Sequence, residues 1–136
     1  MTDFNQQIID EFRANDGEVT SYGFGRGLIL VHHTGAKSGV KRIAPLMGLH
    51  PETNTWLIAA SKAGAPTNPS WYYNLLAHPN TTIETPDDGV VTVRVEELLD
   101  DARDAAWDQF KAASDGFRQY EEKTDRRIPV LALHRV

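Results

Sequence analysis

Apolar residues at helical spacing open the chain. Phe4, Ile8 and Phe12 recur every four residues, so they would lie along one face of a helix over residues 4–14. Asp3 directly precedes this pattern, where an N-cap residue is expected. The sequence therefore predicts an amphipathic helix ahead of the first strand.

Three runs of apolar and β-branched residues follow and predict strands over residues 28–33, 40–49 and 56–60. The first run is apolar on both faces, which predicts a central position in a sheet. Pro45 has no amide hydrogen to donate, so the second strand is expected at an edge or with a bulge. A turn is predicted over residues 51–54.

The region after the third strand predicts a short helix and a hairpin. Asn68 as the N-cap and Pro69 as the first helical residue predict a helix that ends before Pro79. Alternating polar and apolar residues over 81–96 then predict a hairpin with one solvated face.

Two helices and a strand are predicted at the end of the chain. Asp100 or Asp101 can cap the first of these helices, and the second is expected to start near Ser114. The closing strand covers residues 128–134, where Pro129 favours an edge or a strand start.

Together the elements predict an antiparallel α+β domain whose sheet curls into a small barrel, because turns rather than crossover helices join the first strands. A chain of 136 residues is expected to form one domain. Residues 1–20 would hold the N-terminal helix and residues 24–134 the barrel.

Composition narrows the class of function. Without cysteine the chain can form no disulfide and no thiolate metal site, and its five histidines show no metal-ligand spacing, so no metal is expected. A net charge of −5 argues against a general nucleic-acid binder. No apolar run approaches the roughly 20 residues of a membrane span, and no signal-peptide pattern is present, so a cytoplasmic location is expected.

Two glycine-containing turns hold the candidate chemistry. Residues 35–39 include Lys37 and precede Arg42, and residues 61–64 again combine a hydroxyl group, a lysine and a glycine. Turn amides, hydroxyl groups and cations together can bind an anion. Ala36 stands directly before the first lysine, where a nucleotide-binding P-loop requires glycine, so that motif is excluded. A solvated hairpin remains the alternative for the first turn.

These segments resemble the deazaflavin-dependent nitroreductase family, whose members use coenzyme F420. The resemblance covers residues 27–133 and rests on residues 34–39 with Arg42 and Pro45, on 60–66, on 68–75, and on Tyr120 ahead of 126–130. It implies an α+β fold, a mainly antiparallel split β-barrel with short flanking helices. Two positions depart from the family pattern: Ala36 replaces a usual arginine, and Tyr73 replaces a common histidine.

The resemblance also implies the residues of the site. Those expected at the phosphate and oligoglutamate tail of F420 are Lys37, Ser38, Gly39, Arg42, Pro45 and Met47. Those expected at the deazaflavin ring are Ala59, Ala60, Ser61, Lys62, Asn68, Pro69, Trp71 and Tyr72. Tyr120 would border the substrate and is the candidate catalytic proton donor.

The implied function is that of an F420-dependent quinone or nitro reductase. Such an oxidoreductase transfers hydride from the reduced deazaflavin to a quinone, a nitroaromatic or a similar acceptor. Two alternatives remain open: an oxidoreductase of the same barrel type that uses flavin mononucleotide (FMN), and a non-catalytic protein that binds or stores F420. A monomer and a homodimer are both compatible with the sequence.

Overall fold

The computed structural model describes residues 4–20 and 23–136. The predicted N-terminal helix is confirmed as α1, Phe4–Ala14, which buries Ile8, Ile9 and Phe12 on one face. Its predicted cap, Asp3, lies outside the described residues. None of the helices within the described ranges is long and apolar enough to cross a membrane.

Seven strands of the described part of the chain form one antiparallel sheet, which confirms the predicted architecture. They are β1 Leu28–Thr34, β2 Lys41–Met47, β3 Leu49–Glu52, β4 Thr55–Ala59, β5 Asn80–Thr85, β6 Gly89–Leu98 and β7 Val130–Arg135. Their order across the sheet is β2-β1-β5-β6-β7-β4-β3. β1 lies between two neighbours and β2 lies at an edge, as their residue patterns predict.

The strands at the two edges of this order, β2 and β3, are separated along the chain only by Gly48. The chain thus passes directly from one edge of the sheet to the other, which requires the sheet to curl into a barrel. Met47 still pairs with Leu28 of β1, whereas Leu49 already pairs with Leu57 of β4.

The junction at Gly48 corrects two predictions. A single strand over residues 40–49 was wrong, because the chain changes its pairing partner at Gly48 and forms two strands. The turn predicted over residues 51–54 is shorter than expected, since Glu52 still pairs with Thr55.

Four α-helices within the described residues flank the sheet. After α1 come α2, Ser70–Ala77, α3, Asp100–Ala113, and α4, Asp115–Lys123. The predicted start of α4 near Ser114 is confirmed, and the Ser114 side chain caps the helix by accepting a hydrogen bond from the amide of Gly116. Pro129 immediately precedes β7, so its predicted role at a strand start is also confirmed.

Two predicted helix caps were wrong. Pro69 stands at the N-cap of α2 and has no side-chain group that could cap it, and the side chain of Asn68, the predicted cap, binds Tyr73 and Arg126 instead. Leu99 stands at the N-cap of α3, and Asp100 and Asp101 lie in its first turn instead. Their carboxylates are still favourably placed for the helix dipole.

The barrel has an inner core and two outer cores, in keeping with side chains that alternate along each strand. The inner core includes Val31, Ile58, Ile83, Val93 and Leu133, together with Trp71 and Leu75 of α2. On the outer face, α1 covers β1, and α3 and α4 cover β4 and β7. Met47 packs against both outer cores and therefore marks the seam between them.

Strand direction places the two lysine-containing turns. All neighbouring strands are antiparallel and three strands separate β1 from β4, so β1 and β4 run in the same direction. The hairpin over residues 35–40 follows β1, and the loop over residues 60–69 follows β4. Both connections therefore leave the barrel at the same end, where α2 also lies.

Candidate active site

An apolar cavity of about 310 Å³ lies at the seam of the barrel, between α1 and α4. Its floor comes from β2 and β4, and its end from the loop after β4 and the start of α2. Eight residues proposed from the sequence line it together: Pro45, Met47, Ala59, Ser61, Lys62, Pro69, Trp71 and Tyr120. The structure thus brings the proposed ring-binding segments and the proposed proton donor to one cavity.

A polar cavity of about 490 Å³ adjoins the apolar one, and Asn5 and Trp71 line both. Arg42, proposed for the tail, lines the polar cavity with Lys41 and Arg13. The Arg13 guanidinium is already paired with Glu84, through Nε at 3.0 Å and Nη2 at 2.7 Å. Lys41 and Arg42 form no ion pair with any described residue, so both cations are available to a ligand.

The hairpin over residues 35–40, which we call the outer turn, lies at the surface. Lys37, Ser38 and Gly39 are exposed and line neither cavity. The turn is fixed to α2 through Asn74, whose Oδ1 accepts a 2.9 Å hydrogen bond from the amide of Ala36. The outer turn can therefore reach a ligand only from the rim of the site.

Asn74 also fixes the tautomer of a buried histidine beside the polar cavity. Since Asn74 Oδ1 accepts from Ala36, its Nδ2 donates to His33 Nδ1 at 3.0 Å. The proton of a neutral His33 must then lie on Nε2. Burial, with smaller contributions from Arg42 and His32, lowers the pKa of His33, so the ring is neutral at pH 7.

The loop over residues 60–68, which we call the inner loop, contains the second lysine turn and is bound from behind by Arg126. The Arg126 guanidinium donates to the carbonyl oxygens of Ala60, Ser61 and Ala65. Lys62 lies within the loop with a left-handed φ of 45°. Sequence reasoning gave Arg126 no role, because all the hydrogen-bond partners of its guanidinium lie more than 55 residues away along the chain.

Three proposed ring-binding residues do not line the apolar cavity. Ala60 is fully buried in the inner core, and Asn68 binds Arg126 and Tyr73. The Tyr72 hydroxyl donates to Glu97 at 2.6 Å, and burial together with this bond raises the pKa of Tyr72. Ala60 and Asn68 lie behind the wall of the cavity, where both accept hydrogen bonds from Arg126, and Tyr72 packs against the inner core.

Tyr120 is half-buried on α4, with its ring edge against Phe117 at a centroid distance of 5.8 Å. In contrast to Tyr72, its hydroxyl makes no hydrogen bond to any described residue. A phenol in an apolar cavity without a protein partner can donate to a ligand oxygen.

Two walls of the apolar cavity were missed by sequence reasoning. They consist of Phe4, Asn5, Ile8, Phe24, Leu28, Leu46 and Phe117. The helical spacing of Phe4 and Ile8 was a usable signal, because it left the exposed Phe4 on the same face as the buried Ile8. No local pattern indicated that this face continues into a cavity.

The residues present fit coenzyme F420, the cofactor that the sequence resemblance implies. An apolar cavity suits a flat ring, and the adjoining cavity supplies Lys41 and Arg42 for a phosphate or carboxylates. The two cavities meet at Trp71, so one ligand with a ring and an anionic tail can occupy both.

Comparison with known proteins agrees with this arrangement. The family model described as F420H(2)-dependent quinone reductase matches residues 5–135. An F420H(2)-dependent quinone reductase of Mycobacterium tuberculosis is 33% identical over 109 residues, which are 79% of this chain and 72% of the relative.

Solved structures match as well. An F420-H2 dependent reductase, FDR-A, is 37% identical with a TM-score of 0.72, over 80% of this chain and 95% of that one. A structure described as a domain-swapped dimer is 33% identical with a TM-score of 0.74, over 93% and 95% of the two chains. The predicted split β-barrel fold is confirmed by the likeness to FDR-A.

Proposed function

We propose that this chain, which belongs to the F420H(2)-dependent quinone reductase family and uses coenzyme F420, reduces a quinone in the apolar cavity at the seam of its barrel. The enzyme is an oxidoreductase, as the sequence resemblance predicted. The observation that supports the proposed acceptor site is the free Tyr120 hydroxyl in a cavity walled mainly by aromatic and aliphatic side chains.

The ring of the cofactor is assigned to the apolar cavity and its tail to the polar one. We assign Pro45, Met47, Ala59, Pro69 and Trp71 to the ring as apolar surface, with Ser61 and Lys62 as the polar groups at its edge. The resemblance implied that Pro45 and Met47 lie at the tail, but they line the apolar cavity and not the polar one. When bound, reduced F420 supplies a hydride. The side chains of the cavity hold the ring in one orientation and exclude water from it.

The tail is assigned to the cations near β2. Arg42 provides a planar, bidentate group for a phosphate or a carboxylate, and Lys41 stands beside it in the same cavity. Lys37, Ser38 and Gly39 of the outer turn extend this basic surface to the rim of the site. Ala60, Asn68 and Tyr72 act indirectly, by holding the wall on which the ring lies.

Tyr120 is assigned to the acceptor. Its hydroxyl can donate a hydrogen bond to a quinone oxygen and stabilise the negative charge that develops there during reduction. A nitro group presents a similar oxygen, so we include nitroaromatic compounds among the acceptors. The aromatic wall formed by Phe117 and Phe24 suits a planar acceptor of either kind.

We also propose that residues 1–136 form one domain that works in the cytoplasm. The match of the family model over nearly the whole chain supports one domain. The absence of cysteine is typical of a protein that has no need of an oxidising compartment.

Separate binding titrations and an acceptor assay test the proposal. Purified protein is titrated with F420 and with FMN, and turnover of reduced F420 is then followed with menadione and with a nitroaromatic compound. We expect tighter binding of F420 and turnover with menadione. Tighter binding of FMN would refute the cofactor assignment, and F420 binding without turnover would favour a storage protein.

The variant Tyr120→Phe tests the proton donor. It keeps the ring of Tyr120 against Phe117 but removes the hydroxyl, so F420 affinity should be unchanged. We expect kcat with menadione to fall roughly a hundredfold to a thousandfold, a loss typical of a single hydrogen-bond donor to a developing oxyanion. An unchanged kcat would exclude this role.

A further inference from the structure

We propose that Arg126 is a positioning residue that binds the inner loop to the segment after α4 and thereby sets the width of the apolar cavity. The inference rests on the proposed function, since the residues thus positioned are those assigned to the cofactor ring and to the acceptor.

The guanidinium of Arg126 is completely occupied by the inner loop. Nη1 donates to the Ala60 carbonyl at 2.9 Å and to the Asn68 side-chain oxygen, and Nη2 donates to the Ser61 carbonyl at 2.9 Å. The Ala65 carbonyl accepts from both Nε, at 3.2 Å, and Nη2, at 3.1 Å. These bonds use all five N–H groups of an arginine, so Arg126 has no donor left for a ligand.

The bonds join the two ends of the inner loop. Ala60 directly follows β4, and Asn68 directly precedes the N-cap of α2. Between them lie Ser61 and Lys62, the two loop residues that line the apolar cavity. A single cation therefore holds the start, the middle and the end of this wall in one conformation.

Left-handed backbone geometry in the inner loop makes this support necessary. Lys62 has a φ of 45° and Gly64 a φ of 79°. For a residue with a side chain this conformation costs roughly 1 to 3 kcal/mol and persists only where surrounding contacts hold it. The bonds from Arg126 to Ser61 and Ala65 flank these two residues and supply such contacts.

The opposite wall of the cavity is tied to the same segment. Arg126 follows α4, which places Tyr120 in the cavity. Gly64 of the inner loop packs directly on α4, since a Cβ atom there would lie only 2.9 Å from the Tyr120 carbonyl oxygen and from Lys123 Cβ. The loop that lines the ring position and the helix that presents the acceptor donor thus form one packed unit.

Lysine cannot replace arginine in this role. The acceptors approach the guanidinium from several directions, which suits the planar fork of arginine. A lysine has three donors on a single nitrogen and would leave at least one of the four acceptor oxygens without a partner. Arg126→Lys therefore keeps the positive charge and removes the planar arrangement of N–H donors.

The test compares Arg126→Lys with Arg127→Lys. Arg127 is the next residue along the chain, but it is exposed and pairs with Asp104 at the surface. Three quantities are measured for each variant: the dissociation constant of F420 without an acceptor, hydrogen exchange of residues 61–68 in the free protein, and steady-state kinetics with menadione.

In Arg126→Lys we expect the backbone amides of the inner loop to exchange their hydrogens faster than in the wild type. We also expect F420 affinity to fall roughly tenfold or more, because small displacements of the residues in a site have effects of this size. The KM of Arg126→Lys for reduced F420 should rise as its affinity falls. Arg127→Lys should behave as the wild type in all three measurements. A purely structural role would lower the fraction of folded protein without changing the dissociation constant of that fraction. Wild-type exchange and affinity in Arg126→Lys would overturn the inference.

Two further results keep the test decisive. If Arg126→Lys fails to fold, Asn68→Ala removes one acceptor of the guanidinium and should show a smaller loss of affinity in the same direction. If wild-type protein does not bind F420, the proposed function fails and this inference with it. If the wild type binds F420 and both variants equal it, only the role of Arg126 is refuted.

Discussion

The outer turn and the inner loop contain the same kinds of residue but are held in opposite ways. Each has a hydroxyl group, a lysine and a left-handed glycine at the same end of the barrel. The outer turn is exposed and is fixed to the rest of the protein through the amide of Ala36. The inner loop receives five hydrogen bonds from Arg126 and packs on α4.

This difference shows that local composition does not decide whether a lysine turn becomes the wall of a cavity. Long-range partners decide it. The inner loop is confined by a cation and a helix from the end of the chain, so its side chains hold fixed positions. The outer turn has no such confinement and is suited to an adaptable contact with a flexible anionic tail.

The largest expected contrast is between alanine at Gly64 and alanine at Gly39. Both glycines have positive φ, near 79° and 71°, so each alanine incurs about 1 kcal/mol or more of backbone strain. At Gly64 the new Cβ would also overlap the backbone of α4, whereas nothing lies within 4 Å of a Cβ at Gly39. We expect losses of unfolding free energy of about 2 to 4 kcal/mol for Gly64→Ala and about 1 kcal/mol for Gly39→Ala, measured by urea denaturation.

Similar losses for the two alanine variants would contradict the view that only the inner loop is confined by tertiary packing. The F420 affinity of the folded fraction is a second measurement on the same two variants. Gly64→Ala should reduce it, because the loop would have to move away from Tyr120.

The next contrast concerns the tether of the outer turn, by which we mean the hydrogen bond from the Ala36 amide to Asn74. Asn74→Ala removes the acceptor for the Ala36 amide and the donor to the buried His33. Unsatisfied buried groups predict a loss of about 1 to 3 kcal/mol in unfolding free energy. Ser38→Ala is the control, because the Ser38 hydroxyl only accepts an exposed 3.2 Å bond from Val40 within the turn, and it should cost less than about 1 kcal/mol. Equal costs would show that Asn74 is not the main tether.

A third contrast separates the cations by position. Arg42 lines the polar cavity and Lys37 lies on the exposed outer turn. We expect Arg42→Ala to weaken F420 binding by about 1 to 2 kcal/mol and Lys37→Ala by about 1 kcal/mol or less, since an exposed charge is screened. Calorimetric titration at low and physiological salt measures both. A larger loss for Lys37→Ala would mean that the outer turn closes over the tail.

Local periodicity was enough to predict most of the fold. The helix α1 repeats apolar residues at helical spacing, and β1 and the hairpin of β5 and β6 have the apolar patterns of strands. The exchange of partners at Gly48 could not be predicted, because Met47 pairs with Leu28 and Leu49 with Leu57, and no pattern within residues 40–49 marks where one partner strand replaces the other. Asn68 looked like a helix cap for the same local reasons, but a distant arginine takes its side-chain oxygen.

The candidate site divides in the same way. Sequence resemblance located Trp71, Ser61 and Lys62, which the structure places at one cavity. It gave no sign of the wall formed by Phe117 or of the support from Arg126. Both depend on α4 packing against the inner loop, a contact between segments that no short motif connects.

The smallest expected effect is a pH dependence of the tether of the outer turn. Because the pKa of His33 is lowered in the folded protein, the unfolded chain binds this proton first as the pH falls below about 6.5. Stability is therefore full above that pH and declines below it, by up to about 1 kcal/mol near pH 5.5. Glu84, whose pKa the hydrogen bond from Arg13 lowers, adds its own loss of stability only below about pH 4.5.

The variant His33→Gln tests this dependence, because glutamine keeps an acceptor for Asn74 but does not titrate. Urea denaturation between pH 7.5 and 5.5 should therefore show no decline of unfolding free energy from this position. An unchanged slope in His33→Gln would assign the effect to another group and leave the tether independent of pH.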